Sequence, residues 1–135
     1  MTSVFVDSNL LLRLITNDDH AQSEKAAKLF SRAREGKVRL VSGPPVLFEV
    51  AWTLRSRYRQ SGEAILDVIE AMLATPGLDL LDHDRTAAAL KLARHAGMEF
   101  ADAYVAASAR DGGCDALATF NRADFKKSGI TLIDL

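Results

Sequence analysis

Short apolar runs alternate with helical segments along this chain, and this alternation constrains the fold more than any other feature of the sequence. Five runs have the length and composition of buried strands, at residues 3–6, 38–41, 78–81, 116–119 and 130–133. Helical segments fill the intervals, at residues 8–15, 18–34, 45–58, 63–73, 84–96 and 100–109, with a short turn or helix at 121–127. Strands joined by helices run parallel and need cover on both faces. The sequence therefore predicts an α/β fold with a parallel sheet of about four to five strands flanked by helices.

Length, charge and cysteine content restrict the class of protein. The 135 residues are predicted to form one domain, residues 1–135. The net charge of −1 excludes a polybasic protein that binds nucleic acid through its overall charge, and a single cysteine excludes an internal disulfide and a cysteine-based zinc site. No apolar run reaches the roughly eighteen residues of a spanning helix. The first strand follows Met1 so closely that no signal peptide is expected, and a cytoplasmic protein without membrane contact is predicted.

Asp7 is the first candidate functional residue. It closes the apolar run Val4-Phe5-Val6 and precedes a helix that begins at Ser8. Ligands of open α/β sheets bind at the carboxyl ends of the strands, which is where this carboxylate is predicted to lie. The alternative is that Asp7 serves only as the N-cap of the following helix.

Two further carboxylates lie in apolar surroundings. Glu49 is the lone acid in the run Val46–Trp52, on a helix predicted to be buried, where a charge needs a partner. Asp102 lies in the first turn of the alanine-rich helix 100–109, where the helix dipole favours an anion. The alternatives are that Glu49 faces solvent or pairs with an arginine such as Arg55, and that Asp102 is an ordinary acid at a helix start.

Polar side chains also follow the fourth predicted strand, at Thr119, Asn121 and Asp124. If the first and fourth strands are neighbours, these residues face Asp7 across the end of the sheet, and the helices that carry the other acids close a ring. Carboxylates gathered so closely would repel one another strongly. Divalent cations would relieve that repulsion, and all-oxygen ligands suit Mg²⁺ or Mn²⁺ rather than zinc.

The chain resembles the PIN-domain family, in particular the small VapC-like toxin ribonucleases of bacterial toxin–antitoxin pairs. Four motifs in this order carry the resemblance: Val6-Asp7-Ser8-Asn9-Leu10-Leu11, Glu49 in its apolar helix, Phe100-Ala101-Asp102-Ala103, and Ala118-Thr119-Phe120-Asn121-Arg122-Ala123-Asp124-Phe125. The resemblance covers essentially the whole chain. It implies a parallel sheet flanked by helices, a metal-dependent ribonuclease activity, a cognate antitoxin partner, and a homodimer or a larger toxin–antitoxin assembly.

The resemblance also implies roles for individual residues. Asp7, Glu49 and Asp102 match the three acids of the family, whereas the fourth acidic position falls on either Asn121 or Asp124 because many relatives have aspartate where this chain has Asn121. Catalytic roles are accordingly expected for Asp7, Glu49, Asp102 and Asp124, with Asn121 as a further metal ligand. Residues expected to orient the acids or a coordinated water are Ser8, Asn9 and Thr119.

The implied reaction is hydrolysis of an RNA phosphodiester. Mg²⁺ or Mn²⁺ held by these acids would polarise the scissile phosphate and lower the pKa of a bound water. Cations should surround the acidic site and contact phosphates, and the candidates for this RNA-binding role are Arg13, Arg55, Arg59 and Arg122. The alternative for each of them is a solvated arginine on a helix face.

Three aromatic residues, Phe48, Trp52 and Tyr58, lie on or near the helix that carries Glu49. They are predicted to belong to the core. Part of this stripe could instead receive an antitoxin helix in a groove.

Two other functions compete with the nuclease. A phosphatase with an aspartyl nucleophile at Asp7 would need a second acid two positions later, where this chain has Asn9. A non-catalytic binding module that keeps the fold would be consistent with Asn121 in place of an acid. Binding of divalent metal distinguishes the nuclease from the binding module, and trapping of a phosphorylated Asp7 would identify the phosphatase.

Overall fold

The computed structural model describes all residues, 1–135, as a parallel sheet surrounded by helices. The three strands are β1 (Thr2–Phe5), β2 (Val38–Ser42) and β3 (Leu78–Leu80), in the spatial order β1-β2-β3. The helices are α1 (Ser8–Thr16), α2 (His20–Arg34), α3 (Pro44–Ser56), α4 (Gly62–Leu73), α5 (His83–Ala96), α6 (Phe100–Asp111) and α7 (Arg122–Phe125), and a 3-10 turn covers Lys126–Ser128. The predicted α/β class is confirmed.

Local sequence signals explain where the helices begin and end. The Asp7 side chain accepts the backbone N–H of Ser8 at the start of α1, and the Ser61 hydroxyl accepts the backbone N–H of Ala64 and caps α4. Pro44 lies in the first turn of α3, where its missing N–H costs nothing. Helix α5 ends at Gly97, which has the left-handed conformation typical of a helix C-terminus.

A continuous core joins the sheet to the helices. Leu40 of β2, Leu47 and Val50 of α3, and Ile69 of α4 have no exposed surface. Each fully buried aliphatic side chain of this kind contributes about 1.5–3 kcal/mol to stability. The core therefore fixes α3 and α4 against the sheet, and with α3 it fixes the position of Glu49.

The sheet is narrower than the four to five strands that the sequence predicts. Residues 116–119 and 130–133 form only one parallel bridge, between Leu117 and Leu132, and neither segment is hydrogen-bonded to β1. The Leu117 N–H donates to the carbonyl of Thr131 at 2.8 Å, and the Ile133 N–H donates to the carbonyl of Leu117 at 3.1 Å. Only Leu117 is buried within residues 116–119, so too few apolar side chains face the core to support a longer ladder.

Hydrogen bonds hold the carboxyl edge of the sheet together. The Val6 N–H donates to the carbonyl of Val41, and the Leu81 N–H donates to the carbonyl of Ser42. The Ser42 hydroxyl is fully buried and donates to the carbonyl of Val6 at 3.0 Å. These bonds continue the strand pairing past β1 and β2, so Asp7 leaves the sheet from a fixed position.

No helix of the structure combines the length and the hydropathy needed to cross a membrane.

Candidate active site

Asp7 lies where the chain leaves β1 and enters α1. Its Oδ1 accepts the backbone N–H of Ser8 at 2.7 Å, so the capping interaction that the sequence suggested is present. The side chain is exposed, and Oδ2 makes no hydrogen bond. Capping therefore uses one carboxylate oxygen and leaves the other open to a ligand.

Ser8 links Asp7 to Glu49. The Ser8 side chain is buried, and its hydroxyl donates to Oε2 of Glu49 at 2.6 Å while lying 3.4 Å from Oδ1 of Asp7. The shorter of these is a charge-assisted hydrogen bond, and it joins the start of α1 to the middle of α3. Ser8 thereby holds two acids that are 42 positions apart in the sequence on one side of the molecule.

Glu49 is exposed, as the alternative interpretation of the sequence proposed. The buried positions of α3 are Val46, Leu47, Val50 and Leu54, which follow helical spacing and leave position 49 on the outer face. Arg55 pairs with Glu99 instead of Glu49, with 2.6 Å between Nη2 and Oε1. The hydroxyl of Ser8 is the one hydrogen-bonding partner that Glu49 has.

Asp102 and Asp124 form a second pair of acids. Burial raises the pKa of Asp102 above its ordinary value, and the negative charges of Asp124 and Glu99 raise it further. The positive charge of Lys127 acts in the opposite direction on this pKa, so its ammonium group lies within electrostatic reach. Both aspartates are half-buried. Their repulsion would be relieved by a cation bound between or beside them.

Asn121 contacts Asp124 through its side chain. The Asn121 Nδ2 donates to Oδ2 of Asp124 at 2.9 Å, and its backbone N–H donates to the Thr119 hydroxyl at 3.0 Å. Thr119 thus fixes the backbone of the turn, and Asn121 orients Asp124. The carboxylate at this site belongs to Asp124, with Asn121 beside it as a neutral neighbour.

Aromatic packing brings the first turn of α6 against α3. The ring centroids of Phe48 and Phe100 are 5.7 Å apart, and the ring of Tyr104 lies edge-on to Phe48 at 5.0 Å. Phe48 precedes Glu49 and Phe100 lies two residues before Asp102, so this contact positions the two helix segments that carry acids.

The acids are brought together in pairs and not in one ring. Asp7 and Glu49 meet through Ser8, Asp102 and Asp124 interact by charge, and no three aspartate, glutamate, histidine or cysteine side chains come close enough to hold one metal ion. The donors themselves fit Mg²⁺ or Mn²⁺, because Mg²⁺ keeps several waters and needs only one or two carboxylates together with substrate phosphates. A two-carboxylate site is therefore compatible with the pairs as they stand.

Asn9 is not brought to either pair. Its side chain makes no hydrogen bond and lines a surface depression between α1 and α2, together with Arg13, Gln22 and Lys25. A role for Asn9 in orienting the acids has no contact to support it.

Three of the four arginines predicted to bind RNA are engaged within the chain. Arg13 contacts Asp18 at 3.1 Å and Gln22 at 2.7 Å, and Arg55 pairs with Glu99. Arg122 donates to the carbonyl of Ile133 at 2.8 Å and lies 3.9 Å from Asp134. The fourth, Arg59, follows α3 with φ of 52° and makes no ion pair.

Sequence reasoning missed one cation beside the acids, Lys127. Lys126 and Lys127 are exposed and have no ion-pair partner, and Lys127 is the one that acts on the pKa of Asp102. The available signal was two consecutive lysines directly after Asp124-Phe125.

The aromatic residues of α3 differ in their environments. Phe48 and Tyr58 pack against the core, and the Tyr58 hydroxyl donates to Asp18. The prediction that Trp52 belongs to the core is wrong, because 72% of its surface is exposed. Position 52 lies off the helical stripe formed by Leu47, Val50 and Leu54.

The fold and these residues define an α/β domain with one pair of carboxylates, Asp7 and Glu49, at the carboxyl edge of a parallel sheet and a second pair, Asp102 and Asp124, on α6 and α7. The profile of the PIN domain matches residues 4–129, and the chain belongs to the PIN domain family. This is a nuclease-type fold whose members generally cleave RNA or DNA with divalent metal ions. No curated protein matches the chain.

Proposed function

We propose that this protein is a Mg²⁺- or Mn²⁺-dependent endoribonuclease that acts in the cytoplasm as the toxin of a VapC-like toxin–antitoxin pair. The observation that carries the proposal is the bridge from Ser8 to Glu49 beside Asp7. A buried hydroxyl holds an exposed carboxylate next to a second one, at the edge of the sheet where α/β domains bind ligands. Such an arrangement has no evident use in stabilising the core, whereas it suits a cation site.

The chain's own residues have separate tasks in this proposal. Ser8 keeps Glu49 in place, Asn121 keeps Asp124 in place, and Asp102 shares the second pair. The chemistry that a divalent cation supplies at such carboxylates is neutralisation of the scissile phosphate and activation of a water molecule. Lys127 offsets part of the local negative charge, which lowers the repulsion that an approaching phosphate would meet.

A cognate antitoxin and a second copy of the chain are the protein partners in this proposal. Exposed apolar surface supports them. Trp52 is largely exposed on α3, and a mostly apolar groove of about 320 Å³ lies between α1, α2 and α4. Its apolar lining includes Leu11, Leu14, Ile15, Phe30, Val68 and Met72. A groove of this kind suits the apolar face of an amphipathic helix.

The test is cleavage of total cellular RNA by the purified protein, freed of antitoxin, with Mg²⁺, with Mn²⁺ and with EDTA. Discrete metal-dependent cuts are expected from the native protein and should be lost in Asp7→Asn and Asp102→Asn. Asparagine is also a good N-cap, so Asp7→Asn should keep α1 intact. Asp84→Asn is the matched control, because Asp84 is a fully exposed aspartate in the first turn of α5.

Two results would overturn the proposal. Failure of folded, metal-loaded protein to cut any RNA in a broad pool, together with absence of divalent-metal binding, would favour the binding module. A trapped phosphorylated Asp7 would favour the phosphatase.

A further inference from the structure

The depression between α1 and α2, here named the α1–α2 depression, lies beside the first pair of acids. Its volume is about 250 Å³, and the residues that line it are Asn9, Leu10, Arg13, Gln22, Lys25 and Ala26. Asn9 follows Ser8 on α1, and an α-helix rises only about 1.5 Å per residue, so the depression begins within one helical turn of Asp7 and Ser8. A ligand at the pair formed by Asp7 and Glu49 can therefore extend into this depression.

Three polar side chains of the α1–α2 depression have groups free to contact a ligand. The Asn9 amide makes no hydrogen bond, so its donor and its acceptor are both open. The Arg13 Nε donates to Oε1 of Gln22 at 2.7 Å, which leaves the Nε2 donors of Gln22 free. Lys25 is exposed and forms neither an ion pair nor a hydrogen bond. The charge of Arg13 is offset by Asp18 at 3.1 Å, so Lys25 makes the lining of the depression positive.

We propose that the α1–α2 depression binds an adenine base of the RNA next to the cleavage point, with Asn9 contacting the base edge and Lys25 contacting a phosphate of that nucleotide. This inference rests on the proposed nuclease function and specifies a base preference for it. An asparagine amide matches the adjacent N6 donor and N7 acceptor of adenine, so both open groups of Asn9 are used at once. The phosphate contact positions the RNA without reading its sequence.

The size and lining of the α1–α2 depression favour a single base over a larger ligand or a helix. Pockets that bury a whole small molecule measure about 300–1,000 Å³, whereas this depression is smaller and accommodates one part of a ligand. Leu10 and Ala26 form its apolar part, which suits the flat face of a base, and the free amides of Asn9 and Gln22 suit the edge. An amphipathic helix needs a row of apolar contacts, which the groove between α1, α2 and α4 provides and this depression does not.

The experiment sequences the RNA ends produced when the purified full-length protein cuts a randomised RNA pool in Mg²⁺. Native protein should show enrichment of adenine at one fixed position close to the cut. Asn9→Ala should lower that enrichment about tenfold, as expected for loss of one bidentate base contact, and should leave the preferences at other positions unchanged. Alanine is a good helix former, so the variant should keep α1.

Base preference is the readout because a purely structural role of Asn9 would change the cutting rate of all sequences alike. Gln60→Ala is the matched control. Gln60 is an exposed amide that follows α3, and its side chain makes no hydrogen bond. Its replacement should leave the adenine preference as it is in the native protein.

The lysine is tested separately, through the salt dependence of RNA binding by full-length Asp7→Asn protein, which leaves the RNA uncut. The probe is a fluorescein-labelled RNA with the preferred sequence, and its affinity is measured by fluorescence anisotropy. Lys25→Ala should reduce the slope of log K against log salt concentration by about 0.7–0.9, the value for one phosphate contact. Lys28→Ala is the matched control, since Lys28 is an exposed lysine on the same helix outside the depression, and it should leave the slope unchanged.

The outcomes separate this inference from the proposed function. If native protein cuts RNA without an adenine preference near the cut, or if Asn9→Ala keeps that preference, the inference is wrong and the nuclease stands. If native protein cuts no RNA, both are wrong. An Asn9→Ala variant that cuts all sequences equally slowly, with its adenine preference intact, would make Asn9 a structural residue and overturn the inference. An unchanged salt slope in Lys25→Ala would remove the phosphate contact and overturn it as well.

Discussion

Removal of the Ser8 hydroxyl should uncouple Glu49 from the start of α1. Ser8→Ala deletes the donor of the 2.6 Å bond to Glu49 and introduces no new atom. A hydrogen bond to a charged group contributes about 1.5–3 kcal/mol. Glu49 is exposed, so water replaces part of the lost interaction and about 1 kcal/mol remains. Alanine is also a better helix former than serine by a few tenths of a kcal/mol, which offsets part of this loss.

These opposing contributions make the single substitution hard to interpret, so the informative quantity is a coupling free energy. Urea denaturation of the native protein, Ser8→Ala, Glu49→Gln and the double variant, without divalent metal, gives that quantity from four free energies of unfolding. We expect a coupling of about 1 kcal/mol, because helix propensity and other effects of each single change cancel in the cycle.

Ser56 provides the matched control for this cycle. Its hydroxyl donates to the carbonyl of Trp52 on the same helix as Glu49 and has no contact with the acids. Ser56→Ala combined with Glu49→Gln should be additive to within about 0.3–0.5 kcal/mol. A Ser8–Glu49 coupling no larger than this control would refute the claim that Ser8 positions Glu49.

Three further predictions concern stability. Gly77→Ala should lower the free energy of unfolding by more than about 2 kcal/mol in urea denaturation. The reason is that φ of Gly77 is +82° and an added Cβ would lie 2.7 Å from the carbonyl of Ala33. Near-native stability of the variant would contradict this prediction. Thr86→Val should raise the free energy of unfolding by about 1 kcal/mol, because the fully buried hydroxyl of Thr86 has no hydrogen-bond partner. A loss of stability would show that this hydroxyl does have a partner. The raised pKa of Asp102 means that ionisation of its carboxyl group opposes folding, so Asp102→Asn should raise the melting temperature near neutral pH. It should not do so at about pH 3, because the carboxyl is then protonated in both the folded and the unfolded state. An equal gain in melting temperature at both pH values would exclude the charge as its cause.

The helices and the first three strands could be predicted because their signals are local. Caps, prolines and glycines act over a few residues, and the predicted bounds of these elements differ from those of the structure by about two residues or fewer. The fourth and fifth strands could not be predicted in the same way. Whether Leu117 extends into a ladder depends on how many side chains beside it reach the core, and that is a property of the packed molecule.

The acids could be found from the sequence, but their partners could not. A carboxylate in an apolar run is visible at Asp7 or Asp102, and their catalytic roles stay a prediction. The bond from Ser8 to Glu49 spans 41 positions, and no local pattern indicates it. The partners of the basic residues could not be predicted either. Arg55 forms an ion pair with Glu99 whereas Lys126 forms none, and their sequence contexts do not distinguish them.

The two pairs of acids belong to different parts of the fold. Asp7 and Glu49 are fixed to the sheet edge and α3, whereas Asp102 lies on α6. The contact between Phe48 and Phe100 joins these parts, because each ring lies one or two residues from an acid. Interiors are close-packed and transmit strain, so we expect a change in this aromatic contact to shift one pair of acids relative to the other. A substitution at Phe48 should therefore impair any activity that needs both pairs of acids, even though the Phe48 ring is not a ligand. Its effect on that activity should resemble the effect of replacing one of the acids.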